Sequence, residues 1–284
     1  MPVPGKSKLA MRPDSAHLHE QVVSVLRDVA QTLIVPRFNR LTEDDVRSKS
    51  HPGDLVTIAD EEAERALHGA LKQFVPWSQV VGEEAVAADS SLLGLLAGDD
   101  PVWLIDPIDG TANFVNGIAR FAIMVALIHR GETIMGWIHE PLGDATLTGE
   151  LGAGAWHTSS AGSIAARHLP PGPAAFRSME VALHNREFAG LIGQFARNVR
   201  LGSAAHDYWA LVEGRLQILS YRRLKPWDHA AGILIHQEAG GYSRLLNREP
   251  YRPAMPDQQS LLCTPNAAVW EDILAQRDAK LGAR

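Results

Sequence analysis

The chain has 284 residues, of which 45% are hydrophobic, so it can form one large or two closely packed domains around a substantial core. Lys and Arg number 27 against 33 Asp and Glu, and the net charge of -6 gives no reason to expect nucleic acid as the main partner. A small anionic substrate remains compatible with this charge, because a local group of cations can bind it. The one cysteine, Cys263, excludes an intrachain disulfide and favours a reducing compartment.

No targeting or membrane segment is predicted from the sequence. Lys6 and Lys8 lie near the start, but no apolar stretch follows them, so a secretory signal is not supported. The longest apolar run extends from Phe121 to Ile128, about eight residues, far short of the roughly 20 that cross a bilayer. We therefore expect a cytoplasmic protein without a membrane partner.

Two helices are predicted in the first part of the chain. From Ala16 to Val35, apolar residues recur every three or four positions, which places them on one side of a helix that Pro36 ends. A polar loop through Lys49 follows. The segment from Asp60 to Phe74 predicts a second helix, because acidic residues crowd its first turn, where the helix dipole favours them.

The next segments are short apolar runs separated by turn residues, a texture that predicts the strands of an antiparallel sheet. The predicted strands are Gln79 to Val81, Val102 to Ile105, Phe121 to His129, Thr133 to His139 and Ala145 to Thr148. Arg130 and Gly131 form a connection short enough for a hairpin. The stretch from Ser159 to Gly172 is rich in Ser, Ala, Gly and Pro and is the best candidate for a boundary, so we predict two halves, 1–158 and 159–284, within one compact unit.

The second half alternates between helical and strand patterns, which is typical of a layered α/β arrangement. Strands are predicted at Met179 to Leu183, Leu216 to Ser220 and Ser260 to Cys263, and helices at Glu187 to Asn198, Ala204 to Glu213, Asp228 to Ala239 and Ala267 to Gln276. The predicted fold is therefore a mixed α+β and α/β layered sandwich, with a smaller second sheet in the second half.

The most informative stretch for chemistry runs from Trp103 to Phe114. An apolar strand delivers two carboxylates, Asp106 and Asp109, around a proline expected to stop the strand's ladder. Two carboxylates and the Ile108 carbonyl can supply three oxygen ligands to a hard cation such as Mg²⁺ from one turn. Gly110 and Thr111 then offer backbone N–H groups to an anion. An acidic surface turn has a similar composition, but it does not explain the apolar strand that precedes it.

Two further segments place carboxylates beside regular elements. Glu83 and Glu84 come directly after the strand ending at Gly82, and Asp228 stands at the start of an apolar helix. Taken alone, each has an ordinary structural interpretation, a strand cap in the first case and a helix N-cap in the second. Their value lies in combination with Asp106 and Asp109.

In this order, the three segments resemble the inositol monophosphatase family of lithium-sensitive, magnesium-dependent phosphatases. The matching motifs are G-E-E at Gly82 to Glu84, D-P-I-D-G-T at Asp106 to Thr111 followed by Asn113 and Phe114, W-D-x-A-A-G at Trp227 to Gly232, D-L-V-T-x-x-D at Asp54 to Asp60, and G-[ST]-A at Gly202 to Ala204. The resemblance covers roughly positions 20 to 270. It implies an αβαβα sandwich, two or three Mg²⁺ ions per chain and a homodimer.

The resemblance also implies roles for individual residues. Glu83, Asp106 and the Ile108 carbonyl would hold one Mg²⁺, while Asp106, Asp109 and Asp228 would hold a second.

Glu83 would also contact a more weakly held third ion, and Thr111 with Asp60 would orient the attacking water. Lys49 lies where the family often has a lysine near the site. The substrate would meet Gly110, Thr111, Gly202, Ser203 and Ala204.

One segment departs from the family's pattern. Family members that act on inositol phosphates commonly have an acidic residue and a glycine before the W-D motif, where this chain has Tyr221, Arg222, Arg223, Leu224 and Lys225. Arg222 or Arg223 either belongs to a solvated basic loop or receives a second anionic group of the substrate. Inositol 1-phosphate, fructose 1,6-bisphosphate and histidinol phosphate therefore all remain candidate substrates. Asp207 is a further candidate for a substrate contact, and Trp227 belongs either to the core or to a pocket wall.

Two other functions compete with a phosphatase of sugar or polyol phosphates. A catalytically idle regulatory relative has no need of several mutually repelling carboxylates, and Glu83, Asp106, Asp109 and Asp228 are all present. A phosphatase of phosphoadenosine phosphate would use the same metals, but the sequence has no clear adenine-binding pattern. The expected function is therefore Mg²⁺-dependent hydrolysis of a small phosphorylated metabolite, with water as the nucleophile.

Overall fold

Two N-terminal helices cover one face of a large sheet. The computed structural model describes residues 15–49, 55–172, 175–255 and 259–282. Helix α1 is Ser15–Val29 and helix α2 is Ile58–Phe74, and their apolar sides pack against each other and against the sheet. Between them lies a two-stranded ribbon of β1 (Val46–Ser48) and β2 (Leu55–Thr57).

The first helix differs in its last part from the predicted helix Ala16 to Val35. Its α-helical hydrogen bonding ends at Val29 and continues as a wider π turn, Ala30–Ile34, and then as a 3-10 turn, Val35–Arg37, that contains Pro36. A proline removes one backbone donor and its ring crowds the preceding turn, so the helix adjusts its hydrogen bonding before the chain leaves it.

The large sheet has seven strands and is antiparallel except for its first pair. In spatial order the strands are β3 (Gln79–Gly82), β4 (Val102–Asp109), β5 (Ala122–His129), β6 (Glu132–Glu140), β7 (Ala145–Glu150), β8 (Gly154–Thr158) and β9 (Ile164–Arg167). Strands β3 and β4 run parallel, with the short helix α3 (Glu83–Ala88) between them in the chain. Both faces of the central strands are buried, which explains why the sequence of β5 reads as an unbroken apolar run.

Two helices cover the opposite face of this sheet. They are α5 (Ala204–Val212) and α6 (Pro226–Glu238), and α4 (Thr111–Val115) is a short helix after β4. Helix α6 crosses β6 and β7 so closely that a Cβ atom on Gly136 would lie 2.9 Å from the Cα of Ala231. A glycine is therefore required for this contact between helix and sheet.

A second sheet of five strands completes the layers. Its spatial order is β11 (Arg197–Asn198), β10 (Glu180–Leu183), β12 (Ile218–Arg222), β14 (Ser260–Thr264) and β13 (Tyr242–Leu245). Helices α5 and α6 pack on one face of it, and α7 (Ala267–Gly282) packs on the other. The order of layers is helix, sheet, helix, sheet, helix, which confirms the predicted αβαβα sandwich.

Several details differ from the sequence prediction. The segment Glu187 to Asn198, predicted as a helix, forms a 3-10 helix at Arg186–Gln194 followed by β11; Gly190 and Gly193 weaken α-helix formation there. Strands β1, β2, β8, β9 and β13 were not predicted.

Because β9 lies inside the expected boundary segment 159–172, the large sheet extends beyond residue 158. The division into 1–158 and 159–284 stays a prediction. Among the described residues, no helix combines the length and apolar character needed to span a bilayer.

Candidate active site

Three carboxylates from distant parts of the chain converge at the end of the large sheet. Glu83 follows β3, Asp106 lies near the end of β4, and Asp228 lies in the first turn of α6. One carboxylate oxygen from each lies within 4.8 Å of the others. Because β3 and β4 are parallel neighbours, their carboxyl ends bring Glu83 and Asp106 to the same edge, and α6 reaches that edge from the middle layer.

The end of β4 contains an irregularity that separates its two carboxylates. Asp106 pairs with Met124 and Asp109 pairs with Ala122, so two residues of β4 stand opposite one residue of β5. Strand β4 therefore continues past Pro107 through a β-bulge rather than ending there, as the sequence had indicated. A residue in a bulge does not pair with the neighbouring strand. The missing N–H of Pro107 therefore does not deprive a carbonyl of β5 of its hydrogen bond.

Burial makes the carboxylate cluster electrostatically unfavourable by itself. Burial raises the pKa of Asp106 well above its usual range, and the charges of Glu83 and Asp109 raise it further. Burial likewise raises the pKa of Asp228, again with added repulsion from Glu83. Such a group of acids is stable with shared protons or with a bound cation, and a cation satisfies all of them at once.

Asp60 and Thr111 form a second part of the site beside this cluster. The Oγ1 atom of Thr111 lies 3.2 Å from Oδ1 of Asp60 and 3.0 Å from the carbonyl oxygen of Ile108. The other oxygen of Asp60 accepts hydrogen bonds from the backbone N–H and the hydroxyl of Thr57, which caps α2. Burial raises the pKa of Asp60 to about 6, although the bonds from Thr57 act in the opposite direction.

Asp109 is bound to the start of α5 and lies outside the group of three converging oxygens. Its carboxylate accepts hydrogen bonds from the hydroxyl of Ser203 and from the N–H groups of Ala204 and Ala205, at 3.1 and 2.9 Å for the two N–H groups. Burial raises the pKa of Asp109 to about 6, and the Ser203 bond opposes this effect. The predicted substrate segment Gly202 to Ala204 is thus held directly against the D-P-I-D-G-T turn.

Gly110 and Asn113 shape the same contact. Gly110 has φ +87°, and a Cβ atom there would lie 2.9 Å from the carbonyl oxygen of Arg120, so only glycine fits. The Nδ2 atom of Asn113 donates to the carbonyl oxygens of Arg120, Leu201 and Gly202 at 2.8, 3.0 and 3.1 Å. Asn113 therefore fastens two loops together, a role that sequence reasoning missed because its partners are up to 89 residues away.

A buried glutamate also escaped sequence reasoning. Glu64 of α2 accepts hydrogen bonds from the N–H groups of Glu84 and Ala85 at 2.8 and 2.9 Å and so caps α3. A Cβ atom on Gly82 would lie 2.2 Å from the carboxyl carbon of Glu64, so the glycine before Glu83 makes room for this cap. The G-E-E motif therefore combines a glycine with a structural purpose and an acidic residue aimed at the cluster.

Lys49, expected near the site, contacts the same motif. Its Nζ atom lies 3.0 Å from Oε1 of Glu83 and 2.7 Å from Oε1 of Glu84. Asp54 of the D-L-V-T motif lies outside the described residues. Its partner in the motif, Asp60, is described and lies at the site.

The segment before α6 presents two arginines to solvent. Arg222 and Arg223 are both exposed, and neither guanidinium has a hydrogen bond or ion pair with another residue in the described part of the chain. Trp227 is only 7% exposed and packs in the core of the middle layer.

A buried polar group lies behind this segment. Oδ2 of Asp207 accepts hydrogen bonds from the hydroxyl of Tyr221 at 2.5 Å and from Nε2 of His184 at 2.7 Å. The side chain of Asp207 is 0% exposed. It holds Tyr221 and His184 in position, whereas the sequence had suggested a contact between Asp207 and the substrate.

Comparison with solved structures places this fold among known phosphatases. The chain superposes on an IMPase of Thermotoga maritima with a TM-score of 0.77 and 25% identity, covering 95% of this chain and 99% of that one. It superposes on an IMPase/NADP phosphatase in complex with NADP and Ca²⁺ with the same TM-score and 19% identity, which shows the fold alone. The family and the relatives that the sequence matches show the class, a phosphoric monoester hydrolase.

Sequence comparison gives the family. The family model described as "Inositol monophosphatase family" matches residues 15–280. The chain therefore belongs to the inositol monophosphatase family, whose members depend on metal ions.

The "Fructose-1,6-bisphosphatase/inositol-1-monophosphatase" of Thermotoga maritima is 32% identical over 77% of this chain and 81% of the relative. The "Inositol-1-monophosphatase" of Bacillus subtilis is 30% identical over 72% of this chain and 78% of the relative. The "Nus factor SuhB" of Vibrio cholerae is 32% identical over 66% of this chain and 70% of the relative.

Proposed function

We propose that this chain is an Mg²⁺-dependent phosphatase that hydrolyses a phosphate monoester of a small sugar or polyol, such as inositol 1-phosphate, with water as the nucleophile. The observation that carries the proposal is the convergence of Glu83, Asp106 and Asp228, whose oxygens lie within 4.8 Å of one another. Glu83 and Asp228 are 145 positions apart in the chain, and no purely structural demand brings acids of like charge together.

The donor set fits Mg²⁺. All the groups offered are carboxylate or carbonyl oxygens, which hard cations prefer, and the Ile108 carbonyl adds to the carboxylates of the bulge. Burial already disfavours the ionised forms of Asp106 and Asp228, so a cation would be the partner that keeps them ionised at neutral pH. We propose two or three ions per chain, with Glu83, Asp106, Ile108, Asp109 and Asp228 as the residues that hold them.

The bound ions would lower the pKa of a coordinated water and neutralise charge on the phosphate. The remaining chemistry belongs to the chain's own residues. The Thr111 hydroxyl donates a hydrogen bond to Asp60 or to the Ile108 carbonyl, so the lone pairs of its oxygen can accept a hydrogen bond from a water molecule and fix the orientation of that water. The hydrogen bonds from Thr57 hold the Asp60 carboxylate in place for this task.

The loop that begins α5 would receive the substrate. Asp109 and Asn113 fix Gly202, Ser203 and Ala204 against the D-P-I-D-G-T turn, so this wall of the site is rigid before a substrate arrives. A pre-ordered wall lowers the entropy that must be lost on binding. Gly110 and Thr111 contribute the opposite side.

Fructose 1,6-bisphosphate is the second candidate substrate. The exposed guanidinium groups of Arg222 and Arg223 favour it, because they have no partner among the described residues and stand on the segment that leads into Asp228. A planar guanidinium can bind two oxygens of a second phosphate at once. We further propose that the enzyme works in the cytoplasm as a homodimer; the buried free thiol of Cys263 fits a reducing compartment, and the dimer rests on family resemblance.

A phosphate-release assay tests the proposal. Inositol 1-phosphate, fructose 1,6-bisphosphate, histidinol phosphate and phosphoadenosine phosphate would each be incubated with the protein and Mg²⁺, with and without excess chelator. We expect Mg²⁺-dependent release from at least one sugar or polyol phosphate, and loss of that release in Asp106→Asn. Equal release by Asp106→Asn, or release unaffected by the chelator, would contradict the proposal.

A further inference from the structure

Two ammonium groups approach a single oxygen of Glu83. Nζ of Lys49 lies 3.0 Å from Oε1 of Glu83, and Nζ of Lys225 lies 3.8 Å from the same atom. Lys49 follows β1 and Lys225 precedes the first turn of α6, so the two lysines reach Glu83 from different elements of the fold. Glu83 is therefore shared between two cations of the protein and the carboxylate cluster.

Both lysines are held in position by further contacts. The side chain of Lys49 is 12% exposed and also lies 2.7 Å from Oε1 of Glu84. Lys49 thus contacts both carboxylates of the G-E-E motif, and a lysine side chain ordinarily carries its positive charge at neutral pH. Lys225 is 46% exposed, and its Nζ atom lies 5.5 Å from the centre of the Trp227 ring.

These positions have a consequence for any cation that binds the cluster. A divalent ion that takes an oxygen of Glu83 comes within a few ångströms of at least one fixed positive charge, and the partly buried site screens that repulsion only weakly. We propose that Lys49, assisted by Lys225, is a built-in counter-ion that weakens divalent cation binding at Glu83. Lys49 stabilises the metal-free carboxylates and competes with Mg²⁺ for them.

This inference rests on the proposed function, since it concerns the affinity of the same carboxylate cluster. The contact of Lys49 with Glu83 differs from an ordinary structural ion pair in how its contribution depends on Mg²⁺. A structural pair contributes equally with and without Mg²⁺, whereas a competing counter-ion stabilises the metal-free protein and opposes the metal-bound one. The pair of Arg47 with Glu61 joins β1 to α2, lies two residues before Lys49 and is more exposed, so it provides the ordinary case for comparison.

The test measures Mg²⁺ binding by titration calorimetry on the protein without substrate, for the parent chain, Lys49→Gln, Lys49→Arg and Arg47→Gln. We expect Lys49→Gln to bind Mg²⁺ about tenfold more tightly or better, because one nearby positive charge is gone. Lys49→Arg keeps the charge and should stay within about threefold of the parent. Arg47→Gln should match the parent.

Melting temperatures give a second readout. Lys49→Gln should melt below the parent without Mg²⁺, and saturating Mg²⁺ should raise its melting temperature by more than it raises that of the parent. If Lys49→Gln does not fold, Lys225→Gln, which removes the more exposed lysine, should show tighter Mg²⁺ binding to a smaller extent. Unchanged or weaker Mg²⁺ binding in the folded variant would overturn the inference while leaving the proposed function intact. The proposed function is tested separately with Asp106→Asn. It would be contradicted if the parent chain bound no Mg²⁺, or if Asp106→Asn bound Mg²⁺ as tightly as the parent chain.

Discussion

Replacing Asn113 by alanine removes the side chain that ties the substrate loop to the D-P-I-D-G-T turn. The two hydrogens of its amide nitrogen are shared among three carbonyl oxygens, which lie 2.8, 3.0 and 3.1 Å from Nδ2, and the residue is 8% exposed. Alanine leaves these carbonyls without their donor in a largely buried place, where each unsatisfied group costs about 1 to 3 kcal/mol. Partial access of water to the loop reduces the sum, so we expect a loss of about 2 to 4 kcal/mol in the free energy of unfolding.

The same change should reduce catalysis, because the wall formed by Gly202 and Ser203 loses its anchor. Misplacement by about 1 Å can cost on the order of 100-fold in rate, so we expect kcat/KM to fall by about 10- to 100-fold. The assay combines urea unfolding with Mg²⁺-dependent phosphate release.

Asn116→Ala is the matched control. Asn116 lies one turn later and is exposed, and among the residues that the structure describes its side chain donates only to the carbonyl of Ala112, in the adjoining helix α4. Its replacement should change stability by less than about 0.5 kcal/mol and leave activity unchanged. If Asn113→Ala behaved like Asn116→Ala in both assays, the position of the substrate loop would not depend on Asn113.

Asp106→Asn should reduce Mg²⁺-dependent turnover by a factor of hundreds or more and leave the fold intact, because it removes a charge without changing the side-chain volume. Kinetics measures the turnover and circular dichroism measures the fold. Near-normal turnover would show that Asp106 does not hold a catalytic metal ion. Replacing both Arg222 and Arg223 by alanine should raise KM for fructose 1,6-bisphosphate by about 10-fold or more and change KM for inositol 1-phosphate little. The reason is that each charged hydrogen bond contributes about 1.5 to 3 kcal/mol. If the variant had the kinetics of the parent chain on both substrates, these arginines would only face solvent. Burial lowers the pKa of His139 and of His236 to about 4, so each contributes stability that is complete above pH 6.5 and is lost as the pH falls towards 4. Urea unfolding at pH 7 and pH 5 should show a loss of about 2 kcal/mol per histidine, and His139→Gln should flatten this pH dependence; an unchanged slope would contradict it.

Local pattern was sufficient to predict most elements of the fold. The spacing of apolar residues in α1 and α2 and the unbroken apolar run of β5 are properties of neighbouring residues, so the sequence shows them directly. The bulge at Pro107 in β4 and the 3-10 helix at Arg186–Gln194 depend on the surrounding sheet and on glycine content, and the periodicity did not reveal them.

The candidate site shows the same limit more clearly. The D-P-I-D-G-T and W-D segments marked Asp106 and Asp228 as acids in unusual places, and the structure brings both to the end of β4 beside Glu83. The contacts that hold these residues in place could not be predicted from the sequence. Glu64 caps α3 from 20 residues away and Asn113 binds a loop 88 residues away, and neither distance in sequence carries a pattern that reports the contact.

The position of a bound divalent cation is the most direct evidence for or against a metal site at Glu83, Asp106 and Asp228. Crystals of the protein soaked in Mn²⁺, which scatters anomalously and takes the same oxygen ligands as Mg²⁺, would show where a divalent cation binds. We expect an anomalous peak among Glu83, Asp106 and Asp228, with carboxylate oxygens at about 2.1 to 2.2 Å from the ion. A fully loaded crystal with no peak among these three residues, or with Asp228 turned away from Asp106, would contradict it.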